Sequence, residues 1–209
     1  MKRFFMKKFS LILIFFFLLF MQRTDAQLLK IGVGGGLTSF QSPALYANDI
    51  SLTNGNVDAY GLKNNYHFGV EAKFNLPLFP ITPVAFIDYH VLKGTGSGDY
   101  TGFQTSLSIL SIGAEAEYFV LPLPFVRPYL AINISENNFG KLEIQAPGGA
   151  TLDSPTQSRI GGGIGIGTEI TIPPVNFDLS AKYNSFNLLG KSSGEQSVNA
   201  VSVSLMLLF

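Results

Sequence analysis

The chain has 209 residues, 46% hydrophobic and 13% charged, with 22 Gly, 19 Phe, no Cys and no Trp. That length holds one domain and leaves no room for a large multidomain enzyme. Seven of the Phe fall in the first 20 residues, so the N-terminal segment is read apart from the rest.

Lys2, Arg3, Lys7 and Lys8 form a basic start, and Leu11 to Met21 is an uninterrupted apolar run of 11 residues, too short to span a bilayer as a helix. Thr24-Asp25-Ala26 supplies a peptidase site. This pattern predicts a cleavable signal peptide over 1–26, followed by a barrel domain over 27–209. No Cys follows the apolar run, which excludes a lipoprotein signal, and an exported chain without Cys has no disulfide framework. Removing the five basic residues and one acidic residue of 1–26 leaves nine and 13, a net charge of −4. A basic nucleic-acid footprint is absent. No second apolar stretch is long enough for a transmembrane helix, so strands must carry the remaining apolar surface.

The period along the chain is two, and it recurs eight times. Leu29, Ile31, Val33 and Leu37 alternate with Lys30, Gly32, Gly34 and Gly36. Tyr66, Phe68, Val70, Ala72, Phe74 and Leu76 alternate with His67, Gly69, Glu71, Lys73 and Asn75. Ala85, Ile87, Tyr89 and Val91 oppose Phe86, Asp88 and His90, while Leu110, Ile112, Ala114, Ala116 and Tyr118 oppose Ser111, Gly113, Glu115 and Glu117. Val126, Leu130 and Ile132 face away from Arg127, Tyr129 and Asn133. Ile160, Ile164, Ile166, Ile170 and Ile172 oppose Arg159, the glycines between Gly161 and Gly167, and Glu169. Phe177, Leu179, Ala181 and Tyr183 oppose Asp178, Ser180 and Lys182, and Val201, Val203, Leu205, Leu207 and Phe209 end the chain.

Connections alternate between short, proline-marked links (Pro77 to Pro83, Leu121 to Phe125, Pro173-Pro174) and long polar ones (Gln41 to Asn65, Lys93 to Phe103, Glu136 to Gln157, Asn187 to Gln196). The expected fold is all-β: an eight-stranded antiparallel up-and-down transmembrane β-barrel with tight periplasmic turns, long extracellular loops and periplasmic termini. A soluble lipocalin-like binding barrel shares the period but needs about a quarter of its outer surface charged, whereas this polar phase is diluted by Gly, Ser and Asn. Glycine rows suit the crowded interior of a narrow barrel. The acids Glu71, Asp88, Glu115, Glu117, Glu169 and Asp178 nearly balance Lys30, Lys73, Arg127, Arg159 and Lys182, and buried charges persist only when paired. The expectation is a lumenal charge network that plugs the barrel. Tyr66, Tyr89, Tyr118 and Tyr183, with Phe74 and Phe177, are expected at the membrane interfaces in the absence of Trp.

The signal peptide, the eight strands, Val126-Arg127-Pro128-Tyr129-Leu130, the 178–184 strand and the terminal 201–209 alternation resemble small bacterial outer-membrane β-barrel proteins of the OmpA/OmpX type, across the whole mature chain. The resemblance implies a monomer among outer-membrane lipids, delivered by periplasmic chaperones and inserted by the barrel-assembly machinery. It also implies that Val201, Val203, Leu205, Leu207 and Phe209 form the assembly signal. An exterior ligand of unknown identity would meet the loops.

No cofactor is implied, and the candidate chemistry is thin. His67 and His90 share the lumen phase near the long-loop ends of neighbouring strands, but no particular Ser completes a hydrolytic set with them. The glycine runs precede no helix pattern and do not fit a dinucleotide fingerprint; Gly190-Lys191-Ser192 lacks the first Gly of a phosphate loop, Ser185 standing there. Asp49, Asp58, Glu143 and Asp153 are loop acids that could touch a divalent cation, and solvation accounts for them equally. Two function classes follow: a non-enzymatic membrane barrel presenting exterior loops for adhesion, defence or envelope integrity, and a narrow pore for small solutes. A barrel of eight strands is just wide enough to be filled by side chains, which favours the first.

Overall fold

The computed structural model describes residues 28–53, 56–76, 79–96, 98–121, 123–149, 151–153 and 155–209; the predicted signal peptide lies outside them. Eight long strands, β1 (Leu29–Ser42), β2 (Asn64–Phe74), β3 (Ile81–Thr95), β4 (Gln104–Phe119), β5 (Val126–Phe139), β6 (Gln157–Ile172), β7 (Val175–Leu189) and β8 (Asn199–Leu208), pair antiparallel with their sequence neighbours. β1 pairs with both β2 and β8, Val33 lying opposite Val70 on one side and Leu207 on the other. The barrel is therefore closed and has no free edge, as a sheet in lipid requires. A four-residue helix, Ala44–Ala47, and a hairpin of 51–53 with 56–59 occupy the first long loop. A second hairpin, Glu143–Gln145 with Thr151–Asp153, extends the sheet beside the start of β4. Among the described residues no helix is long and apolar enough to cross a membrane.

The alternation explains the faces. Leu130, Ile132, Ile134, Ile164, Ile166 and Leu205 are exposed on the outer wall, while Glu117, Glu169, Asp178 and Lys73 are buried within. On every strand the outward phase runs nine residues and is apolar except at Gly35 and Thr168: 29–37, 66–74, 81–89, 110–118, 126–134, 164–172, 175–183 and 201–209. A tilted membrane strand needs about 9–11 residues, so these stretches form one continuous band. Pro83 and Pro128 stand at band positions where a proline is tolerated. Each lies one residue beyond the end of a ladder, that of β2 with β3 at Lys73–Val84 and that of β4 with β5 at Phe119–Tyr129.

Several strands outrun the band on the long-loop side, and there the phase reverses. Phe40, Leu92, Leu107, Ile109, Phe139, Phe186, Val198 and Ala200 turn inward and form one apolar cluster with Leu62 and Leu142 from the loops. Gln41, Lys93, Gln104, Glu136 and Ser158 are exposed outside it. Outside the band the surroundings are water, and the barrel axis becomes the only dry place. The segments expected as loops at 93–103 and 136–157 are shortened accordingly, because β3 continues to Thr95 and β5 continues to Phe139; β4 begins at Gln104, where the expected loop ends.

Candidate functional site

The interior is layered along the barrel axis. Nearest the short turns, Lys73 is fully buried with its ammonium 2.7 Å from Glu117, 2.5 Å from Asp178 and 3.7 Å from both Glu71 and Glu169. Glu169 also meets Lys30 at 2.8 Å and Arg127 at 3.3 Å. The Tyr129 hydroxyl donates to Asp178 at 2.7 Å, and its ring lies 5.0 Å from the Lys73 ammonium. Tyr129 can lie there because its cross-strand partner is Gly167; a Cβ on Gly167 would run into the phenol ring. Glu117, Glu169 and Asp178 each offer an oxygen within 4.8 Å of the others, a spacing that suits a metal ion. The Lys73 ammonium pairs with all three, at 2.7, 2.5 and 3.7 Å from Glu117, Asp178 and Glu169, so the lysine itself is the cation they surround.

One layer further in, Lys182 pairs with Glu115 at 2.6 Å and lies 5.8 Å from the Phe86 ring, which occupies the space left by Gly113 opposite it. Asp88 lies against Gly69 in the same way. Asp88 and Lys182 line a small polar cavity, about 30 Å³, with Asn133, Asn184, Ser185 and Ser202 among its walls. That volume suits a water or two.

His67 and His90 face each other in register with ring centroids 5.2 Å apart. Both Nδ1 atoms meet Thr38 Oγ1, at 2.9 and 3.1 Å. One hydroxyl can donate only one hydrogen, so one histidine accepts from Thr38 while the other donates to it. His67 Nε2 is 2.9 Å from Ser204 Oγ. The pair resembles a nucleophile beside its base, but the position of an orienting carboxylate is held by Thr38, and both rings are buried. The histidines lie beneath the apolar cluster and not at the rim where the sequence suggested them, because β3 continues five residues beyond His90. His90 packs edge-on against Phe186 of that cluster at 5.2 Å.

Arg159 leaves the expected charge network. Its guanidinium reaches Glu195 at 2.7 Å and also contacts Gln157, Ser192 and the Ser158 carbonyl. The Arg159 hydrogen bonds hold the Glu195 carboxyl down to about 2, helped by Asn187 and the Ser192 amide. Buried Asn187 binds the Gln196 carbonyl and accepts from the Val198 amide, closing this loop. A register shift in the β6–β7 ladder, between its pairs at Ile160 and Gly162, places Phe186 and Asn187 inward in succession. With Arg159 gone, six acids and four bases remain inside. Thr38, Asn137, Asn187 and Glu195 are absent from any sequence-derived site; Asn137 accepts from Ser111 and Ser135 and donates to the Phe186 carbonyl.

Tyr66, Tyr89, Tyr118, Tyr183 and Phe74 are exposed on the outer wall, with Phe177 half-buried. Val201, Val203 and Leu205 share that wall with Leu207 and Phe209, and the Phe209 and Ile31 backbones exchange hydrogen bonds at 2.9 and 3.0 Å. Asp49, Asp58 and Glu143 are exposed, and among the described residues none joins a metal-binding cluster. The side chain of Asp153 lies outside the described residues.

A family model described as the outer membrane protein beta-barrel domain matches residues 11–209. A search of curated proteins finds no match. Among solved structures, Neisserial surface protein A is similar in fold, with 19% identity, a TM-score of 0.54, and coverage of 86% of this chain and 95% of its own. A major outer membrane protein from Thermus thermophilus shares 13% identity at a TM-score of 0.52, covering 87% of this chain and 99% of its own.

Proposed function

The chain belongs to the outer membrane protein beta-barrel domain family, and from that premise we propose that it is a non-enzymatic barrel with a closed lumen whose long loops, outside the cell, carry its function in adhesion, defence or envelope integrity. The termini and short turns then lie on the periplasmic side of the membrane. The observation that carries the reading is the filled axis: the Lys73 ion cluster, the Lys182–Glu115 layer, the histidine layer and the apolar cluster follow one another along it. Ion pairs and a dry plug in series oppose the passage of water and solutes.

The lack of a carboxylate on either histidine Nδ1 supports the absence of hydrolytic chemistry. Closure of the eight long strands within one chain supports a monomer, since the barrel wall leaves no edge for a second copy to pair with in the membrane. Periplasmic chaperones and the barrel-assembly machinery are the partners proposed for its biogenesis.

Liposome swelling tests the closed lumen. Vesicles carrying the protein should swell in small sugars and amino acids at the rate of protein-free vesicles. Swelling that falls with solute size would establish the narrow pore instead.

A further inference from the structure

The short-turn end of the barrel is unlike a surface that faces water. Of the 22 charged residues in 27–209, ten are the lumenal charges described above, and the other twelve lie on the long loops or the strand ends beside them. None lies in the three short connections, 75–80, 120–125 and 173–174. Phe79 is 69% exposed, Phe125 66%, Leu121 54% and Leu123 51%, and Leu76, Val120, Ile172 and Leu28 are exposed beside them. An apolar surface of this extent marks an interaction site.

Its neighbours show what covers it. The exposed rim runs directly into the outward ends of the apolar band at Leu29, Phe74, Ile81, Tyr118 and Val126, and among the described residues no charged ring lies between them. The connections are also joined to one another around the rim: the Asn75 amide bonds the Leu28 carbonyl, the Phe119 amide bonds the Pro80 carbonyl, and the Thr171 amide bonds the Phe125 carbonyl. We propose that this rim is a lipid-inserted collar, its Phe and Leu side chains sunk among the glycerol and upper acyl groups of the adjoining phospholipid leaflet, so that the barrel ends inside the membrane interface and not in the aqueous compartment.

The backbone chemistry fits that position. Irregular backbone placed in lipid must satisfy its own polar groups, and proline removes a donor altogether. Six of the 14 residues in the three connections are proline. Several of the other donors are paired within the rim: Asn75 to Leu28 at 2.9 Å, Phe79 to Leu76 at 3.2 Å, Val120 to Pro128 at 2.9 Å and Leu123 to Leu121 at 3.0 Å. The proposal rests on family membership and the rim itself, and stands whether or not the lumen conducts.

The absence of Trp makes a clean test. Phe79→Trp and Phe125→Trp each place a single indole on the rim, with Leu130→Trp in the band and Lys141→Trp on a long loop as references. The full mature chain is placed in phospholipid nanodiscs, whose two faces are both open to solutes, and folding is checked by unboiled gel mobility. Brominated acyl chains should quench the rim indoles as strongly as Leu130→Trp, with blue-shifted emission and protection from aqueous iodide. Iodide quenching equal to that of Lys141→Trp overturns the proposal by showing the rim in water. Shielding from both quenchers also overturns it, because protein and not lipid then covers the rim.

Discussion

Lys73→Met removes the cation at the centre of four carboxyl groups while keeping the length of the side chain. Lys73 contacts Glu117 at 2.7 Å and Asp178 at 2.5 Å, and none of these three side chains is more than 2% exposed. Removing one partner of a buried pair costs about 3–5 kcal/mol, chiefly because the other charge is left uncompensated. Glu169 keeps Lys30 and Arg127, so the loss concentrates on Glu117, Asp178 and Glu71 and should reach about 4 kcal/mol on that scale. Urea titration in phospholipid vesicles, followed by the mobility shift of unboiled samples, reads it directly. The triple variant Lys73→Met/Glu117→Gln/Asp178→Asn should recover most of the loss, since an apolar or neutral replacement of a whole buried cluster is often tolerated. A single variant within about 1 kcal/mol of the parent, or a triple variant no better than the single, would refute the claim that these carboxylates depend on Lys73.

Leu205→Arg, at the middle of its nine-residue stretch, should cost about 2–4 kcal/mol in the same titration, whereas Ser108→Arg, outward on β4 beyond the band, should cost about 0–1; equal costs would show the band misplaced. Deleting Phe209 should lower the amount of barrel in the outer membrane more than the unfolding midpoint of barrels that assemble, and normal yield would remove the assembly-signal role. The 190–198 loop should respond to acid in one direction. The Glu195 carboxyl lies below its ordinary value, at about 2, so the stabilisation by Arg159 is complete above the ordinary carboxylate range and is lost as pH falls through about 2. Protection of the Val198 amide, taken relative to its intrinsic exchange rate at each pH, should therefore be high at pH 5 and fall near pH 2, and loss of protection already near pH 5 would contradict the pairing.

The strand faces were legible because one period governs the band: wherever lipid lies outside, every second residue must be apolar, as at Tyr66 to Phe74. The same rule misled beyond the band. Phe40, Leu92, Ile109 and Phe186 occupy the phase read as polar, next to Ser39, Lys93, Ser108 and Ser185, and this local exchange of phases is a sequence signal for strands that leave the bilayer. Arg159 was placed among the lumenal bases by parity alone. Its partner Glu195 lies 36 residues on in a loop, a relation that no periodicity encodes, and the register shift near Phe186 breaks parity where the loop closes. The Thr38 bridge between His67 and His90 was equally hidden, because it depends on the β1–β2–β3 register and not on any spacing within one strand.

The central claim is a lumen closed by an ion cluster and an apolar plug in series, and single-channel recording in planar bilayers tests it most directly. The native chain should give no steady openings, while a variant that empties both barriers, Lys73→Ala with Phe40→Ala, Leu92→Ala and Phe186→Ala, should open a small persistent conductance if it passes the gel-mobility check for folding. Steady, large openings from the native chain would contradict the account.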